Sequence, residues 1–464
     1  MQIKVGQSLS FLFLVLVALS GCPRGEPDDS GDSQAQQLSD IDWRLNDSFG
    51  SVIHVSWTQA VESTGTVAWR LEGEDWNQTP ETTYAAGEQE QVVLGVPYGY
   101  QAELKVTLSD AESEVFSVET GELPIASLEA NLLASEPDRW ESWGNYMLGS
   151  LNATTSGWTS GDYYIFILDR QARVVWAYLT PDQNFCIHAG FSLDGTALVW
   201  DEITYWTAYD QGEASMAHWM LLDGTILESV SIPGANHAFT EMPDGSLAWW
   251  AMDLDLGSSD GSLKVLRPDG TTDVLFECAD FMESAGLGSG VCFANTVYYH
   301  ETSDTFFVSF AIEDFVVEVS QTGELLRTFG QVDGAYAFDP EDSTFWMQHA
   351  VNVTDSGTFL MSAQVDSSSK EAVIREYDFD DKAEVLRQVW TFGAGLGTEA
   401  RLGGYIHRYP EGNTVQSFGT TSRVKEVASD GTVVWDVEWP EGGQIGRTLL
   451  MEDLYGLWPS AAGR

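Results

Sequence analysis

Asn236-His237-Ala238-Phe239-Thr240-Glu241-Met242-Pro243-Asp244-Gly245 is the stretch that decides how this chain folds. It opens on a histidine, continues as a short strand and closes on Asp-Gly. Aspartate accepts a hydrogen bond from the backbone two residues on and glycine takes a positive φ, so the pair marks a tight turn. The phrase recurs. His188 stands six residues before Asp194-Gly195, and His349 six before Asp355-Ser356-Gly357. The segments between, Ala189-Gly-Phe-Ser-Leu193 and Ala350-Val-Asn-Val-Thr354, again read as strands. Equivalent positions of a ring-shaped repeat converge on its axis, so histidines about 160 residues apart are expected to share one pocket.

A second phrase alternates with the first, a turn followed by a strand that often ends in an aromatic residue. It begins at residues 169, 223, 269, 323, 381 and 430. A period of about 50 residues with two hairpin turns per repeat predicts four strands per unit. The chain from 131 to 464 is therefore expected to be an all-β, six-bladed β-propeller. The histidine-type turns fall at Asp194, Asp244, Asp304, Asp355 and Glu411-Gly412-Asn413, and none follows Asp430. Strand material near Tyr146 to Leu151 is expected to complete the last blade. Just upstream of the histidine-type turns stand His188, His237, Asn295, His349 and either Tyr405 or His407. A single histidine there is more often structural. Three in matching register point to a shared site.

Residues 40–122 read as a separate small β-sandwich. Val52-Ile53-His54-Val55-Ser56-Trp57, Thr66 to Arg70 and Gln101 to Val106 alternate polar and apolar side chains. Their spacing resembles a fibronectin type III module, an architectural likeness that carries no function.

The charge balance is extreme, with 71 acidic against 21 basic residues and a net charge of −50. Nucleic acid is not an expected partner, because phosphate binding needs clustered Lys and Arg. The acids are dispersed and read as a solvated surface. Lys4 and an apolar run from Leu9 to Leu19 make residues 1–21 an export signal, too short to span a membrane. It ends in Leu19-Ser20-Gly21-Cys22, which resembles a lipoprotein processing site with Cys22 acylated; an ordinary secretory signal with an incidental cysteine is the alternative. Pro23 rather than Asp follows, which favours the outer membrane. Residues 22–39 lack apolar anchors and read as a flexible tether. The expected protein is thus an exported lipoprotein of the cell envelope, on its periplasmic or outer surface. In that compartment Cys278 and Cys292 are free to form a disulfide, leaving Cys186 as a buried small apolar residue.

The flanks of the histidine phrases carry a family resemblance. Asn236-His237-Ala238-Phe239 before Met242-Pro243-Asp244-Gly245, Gln348-His349 before a glycine turn, and Tyr405 to Asn413 before Ser422-Arg423-Val424-Lys425-Glu426-Val427 resemble bacterial arylsulfate sulfotransferases. So does the run from Asn295-Thr296-Val297-Tyr298-Tyr299 to Val316-Val317-Glu318-Val319. The resemblance covers most of residues 40–458 and implies a β-sandwich before a six-bladed propeller. It also implies transfer of a sulfuryl group from an aryl sulfate to a phenol through a sulfated histidine, without a cofactor or metal. His349 matches the nucleophile, His237 a histidine that contacts sulfate and assists proton transfer, and Asn295 an amide that holds sulfate oxygen. His188 and Tyr405 are further substrate-binding candidates.

Two positions depart from that family. Phe293 stands where it has a second histidine, and Val308-Ser309-Phe310-Ala311 stands where it has an arginine. A missing cation of this kind removes several kcal/mol of transition-state stabilisation. The acidic surface is also expected to raise the imidazole pKa values. Trp249, Trp390 and Trp435 read as packing residues, and Trp346 as the candidate for stacking an acceptor. The competing reading is a non-catalytic propeller that binds a ligand or partner. Zinc held by His188, His237 and His349 lacks any HExxH or His-x-His spacing, and Asp253 to Gly257 lacks the remaining ligands of a calcium loop.

Overall fold

The computed structural model describes residues 38–153, 161–181, 184–206, 212–254, 260–287 and 292–459. The export signal, Cys22 and most of the expected tether lie outside the described residues. The first strand, Leu38–Leu45, begins within the segment read as tether. No helix among the described residues is long and apolar enough to cross a membrane. Strands dominate, and the single α-helix among the described residues is Cys278–Ser284. The fold is all-β and propeller-like.

Beyond residue 130 the strands form sheets of four or five, each built on an antiparallel meander. Sheet B runs Ala189–Phe191, Leu198–Glu202, Met216–Met220 and Ile226–Ser231. Sheet C runs Ala235–Glu241, Leu247–Met252, Gly261–Leu266 and Thr272–Glu277. Sheet D runs Ala294–His300, Thr305–Phe310, Phe315–Ser320 and Leu325–Gly330. Sheet E contains Trp346–Val353, Phe359–Gln364, Ala372–Asp380 and Val385–Phe392, with Ala337–Asp339 added parallel at its outer edge. Sheet F contains Ile406–Arg408, Thr414–Ser417, Arg423–Val427 and Val433–Glu438, and Asn131–Ser135 covers its last strand. Such covering strands remove an exposed edge that would otherwise template aggregation.

Sheet A brings the Tyr146–Leu151 segment beside the last strand described. Its order is Gln444–Met451, Tyr146–Asn152, Tyr163–Asp169 and Val174–Leu179. Gln444–Met451, which follows the Asp430 turn, supplies the first strand, and Tyr146–Asn152 pairs beside it as the second. That is why no histidine-type turn follows Asp430. The first two strands of sheet A are not consecutive in sequence, so no hairpin joins them.

The turns behave as their residues dictate. Asp194, Asp244, Asp269 and Asp430 each accept a hydrogen bond from the backbone N–H two residues on, at 2.9–3.0 Å. Gly245 and Gly270 sit at φ +83° and +84°, where a side chain would be strained. Between the sheets the core is aromatic, with Trp176, Trp200, Trp249, Trp250 and Trp435 essentially fully buried. Trp390 is half-buried: it packs against the core cluster around Ile374 and Phe392 and lies beneath Arg408, 4.7 Å from ring to cation.

The amino-terminal unit is two sheets sharing one core. Ile53, Val55 and Trp57 of the first pack with Val67, Leu104, Val106 and Val118 of the second. It docks on the outer strand of sheet A. Tyr98 N donates to the Val174 carbonyl at 3.0 Å, Ser51 Oγ donates to the Val175 carbonyl at 2.7 Å, and Phe49 stacks on Trp176. Cys278 and Cys292 are joined as a disulfide, and Cys186 is a buried free thiol.

Candidate functional site

The heads of the first strands meet at a cavity of about 120 Å³. His188, His237, Asn295, His349 and Tyr405, chosen from sequence because they share an offset to the turns, all line it. So does Arg447, which sequence reasoning missed. His407, the alternative to Tyr405, packs half-buried against Tyr409 instead and does not line the cavity.

Bulges aim these side chains inward. The strand register slips between Ala235 and Phe239, between Ala294 and Thr296, and between Trp346 and Ala350, the intervals that hold His237, Asn295 and His349. In sheet A it slips where Ser150 faces Gly446 and Arg447. A bulge leaves a residue out of the ladder and turns its side chain away from the pleat. Gly446 makes the last one possible: a Cβ there would run into Ser150 Oγ and the Ile187 carbonyl.

The His349 bulge is anchored from the neighbouring sheet. Gln348, fully buried, donates through Nε2 to the carbonyls of Phe310 and Phe315 at 3.0 and 2.9 Å. Met347 sits at φ +46°, and its N–H donates to Asp314. Thr296 Oγ1 and Asn295 Nδ2 donate to the carbonyls of His349 and Gln348, each at 2.8 Å. His349 Nδ1 lies 3.1 Å from the Met347 carbonyl. A carbonyl only accepts, so Nδ1 carries the proton and the lone pair of the neutral ring is on Nε2.

Burial governs the imidazoles. It holds His349 down at about 4, the bond to Met347 opposing it, and His237 at about 3, with His349 adding to the effect. Burial and then Arg447 push His188 well below the ordinary range. His407 falls to about 4 for the same two reasons. The expected upward shift from the acidic surface is therefore wrong in sign. Charge on the far side of a few water layers is screened within about 8 Å, whereas loss of solvent acts at the ring itself. All four rings are neutral at neutral pH.

Arg447 is the cation of the site. Its Nη1 donates to His188 Nε2 at 2.6 Å, and its guanidinium lies 4.5 Å above the ring of Tyr405. Since guanidinium cannot accept, His188 must present a bare Nε2 and carry its proton on Nδ1. Among the described residues no carboxylate pairs with Arg447, and its buried Nε has no partner. Behind His188, fully buried Asp201 accepts from the backbone N–H groups of Ile187 and His188 at 3.0 and 2.8 Å. Ile187 in turn receives the Arg447 N–H at 2.8 Å, so one carboxyl holds both loops.

Other expectations need adjusting. One N–H of Asn295 is committed to the Gln348 carbonyl, which orients the amide with its oxygen free of any protein partner. Asn295 thus positions the His349 bulge first. Phe293 packs edge-on against Trp206, whose indole lies 5.6 Å from His237, so an aromatic wall stands beside that ring. Trp346 does not line the cavity. Asp260, Cys278 and Cys292 are the one group of potential metal ligands found together among the described residues, and the disulfide occupies both thiols.

No family model matches the chain, and no curated protein matches it. Solved structures give loose likenesses. A Bacteroides caccae protein of unknown function has a TM-score of 0.43 at 14% identity, over 65% of this chain and 97% of its own. A candidate 6-phosphogluconolactonase from Bacteroides uniformis has 0.41 at 11% identity, over 84% and 99%. Virginiamycin B lyase from Staphylococcus aureus has 0.37 at 9% identity, over 65% and 99%. Likenesses this loose transfer no activity, and the function must be argued from the cavity.

Proposed function

We propose that the sheets A to F close as the blades of a six-bladed propeller, and that its central cavity transfers a sulfuryl group from an aryl sulfate to a phenol through His349. The observation that carries this reading is the Nε2 lone pair of His349. It belongs to a neutral imidazole fixed in one tautomer, on the same small cavity as an arginine without a counter-ion.

The steps balance without a cofactor. Nε2 attacks sulfur, the S–O(aryl) bond breaks, and the phenolate leaves with the electron pair. The acceptor phenol oxygen then attacks the sulfated nitrogen's sulfur, the S–N bond breaks, and its proton passes to the departing phenolate or to His237. At about 3, His237 is a weak base in the empty cavity. A bound anion favours imidazolium and raises it. Arg447 faces the charge that develops on the sulfuryl oxygens, the role for which no arginine exists near Phe310. Tyr405 holds the guanidinium plane by cation–π contact.

The test is release of nitrophenol from 4-nitrophenyl sulfate by the purified protein. Release that depends on added phenol, with a mass increment of one sulfuryl group on His349 in its absence, supports transfer. Binding without turnover turns the reading towards a ligand-binding propeller. The amino terminus fits the same setting, an enzyme held to the envelope by acylated Cys22. Cys22→Ser should free it from membranes, and unchanged membrane association would remove the anchor from the proposal.

A further inference from the structure

We infer that this cavity chooses its ligand by counting charge: it accepts an aromatic group carrying one negative charge and rejects the same group carrying two. The inference rests on the reading of the cavity as the seat of an aryl sulfate and adds the basis on which sulfate is told from phosphate.

Arg447 is the one permanently charged residue among those lining the cavity, and none of the described lining residues is acidic. The guanidinium is held from two sides, by His188 Nε2 at 2.6 Å and by the Tyr405 ring at 4.5 Å. Neither neutralises it, so a single anion completes the site. The imidazoles cannot raise the count cheaply. A proton on His188 Nε2 would set a donor against the Arg447 donor, and loss of solvent disfavours charging His237 and His349. The acids that act on this region, Asp201 behind His188 and Asp355 on His407, lie outside the lining and add only negative charge.

A sulfate ester is a monoanion at neutral pH, whereas a phosphate monoester with a second pKa near ~6 is mostly a dianion. Both are tetrahedral and offer three terminal oxygens, so contacts alone do not separate them. The second charge does, because a buried charge without a partner carries a desolvation penalty, and offsetting it here means charging an imidazole that loss of solvent holds neutral. Aromatic side chains beside the cation, Phe239 and Tyr298, take the aryl part.

The experiment is equilibrium binding of three unreactive ligands to the intact protein: benzenesulfonate, phenylphosphonate and its monomethyl ester. It is run at a pH about 2 units above a phosphate-type second pKa of about 6. Benzenesulfonate and the methyl ester, both monoanions, should bind alike. Phenylphosphonate, the dianion, should bind at least about tenfold more weakly, the factor set by roughly 1.4 kcal/mol. Arg447→Gln should weaken both monoanions, and phenylphosphonate, then left with two unpaired charges, should bind no better than it does to the native protein. Equal or tighter phosphonate binding, or a methyl ester no better than its parent, overturns charge counting. None of these ligands has a leaving group, so absence of sulfuryl transfer would leave the result readable, and binding of none of them would overturn the inference.

Discussion

Two kinds of arginine divide this molecule. Arg170, Arg327 and Arg408 each sit between an aromatic ring and a carboxylate. Arg170 lies against Trp140 and Trp435 with Glu426, Arg327 against Phe379 with Glu318, and Arg408 against Trp390 with Glu376. Arg447 has the ring, Tyr405, but an imidazole where the acid would be. Burial and cation–π contact are common to both kinds. The difference is the counter-ion. A protein with 71 acidic residues has no acid among the described residues lining this cavity, and the cavity holds an arginine without a carboxylate partner.

The largest effect should come from His349→Ala, which removes the lone pair on which transfer depends. Nitrophenol release should fall to background with the circular dichroism spectrum unchanged, since no neighbouring group can form the same covalent intermediate. Residual turnover above background would move the nucleophile elsewhere.

Next come two substitutions that set the arginine classes against each other. Arg447→Gln should lower kcat/KM by about 100- to 1,000-fold, as removal of a group facing developing charge does, while thermal stability is little changed. Arg170→Met should do the reverse. It strands buried Glu426 and should cost about 3–5 kcal/mol of stability, with the folded fraction still active. If Arg447→Gln unfolds the protein as readily, the distinction between a paired and an unpaired arginine fails.

Acid sharpens the comparison further. His188, His237, His349 and His407 have folded pKa values below the unfolded value of about 6.5. Between the two values the unfolded chain binds more protons, so these groups make stability fall as pH drops from about 6.5 through about 4. Asp201, pushed up to about 7 by burial, acts in the opposite sense and loses its contribution as pH rises through that value. Around the cavity, four rings against Asp201 should leave the net loss on the acid side. Denaturant midpoints between pH ~4 and ~7 check this. Activity should stay flat across neutral pH, because His349 is already neutral there; a rise with an apparent pKa near 6.5 would mean the ring is solvated.

The smallest effect should be at the surface. Arg139→Gln breaks an exposed pair with Asp430 and should change stability by about 1 kcal/mol or less, measured by thermal melting.

Much of this site was legible before any coordinates. Hairpin turns are written in Asp and Gly because only certain residues satisfy turn geometry, and those turns index the strands. A similar offset to the turn, six to nine residues, then brings His188, His237, Asn295 and His349 to comparable positions. Phe293 and the apolar run at Phe310 were likewise plain as departures. Arg447 was not, for a topological reason. Its strand is first in sheet A yet last in the chain, joined to its neighbour Tyr146–Asn152 by hydrogen bonds alone, so no turn marks its head. Gly446 was a faint sign, being the residue that lets the backbone pass Ile187.

The sequence by itself determined the strands, the turns and the register of four cavity residues, because those depend on local backbone preferences and on spacing. Only the tertiary structure decided the chemistry. The tautomer of His349 comes from a carbonyl on its own bulge, the neutrality of the rings from burial that outweighs a net charge of −50, and the cation from a strand about 100 residues beyond His349 in sequence. Each is a property of neighbours in space, and composition or period carries no record of them.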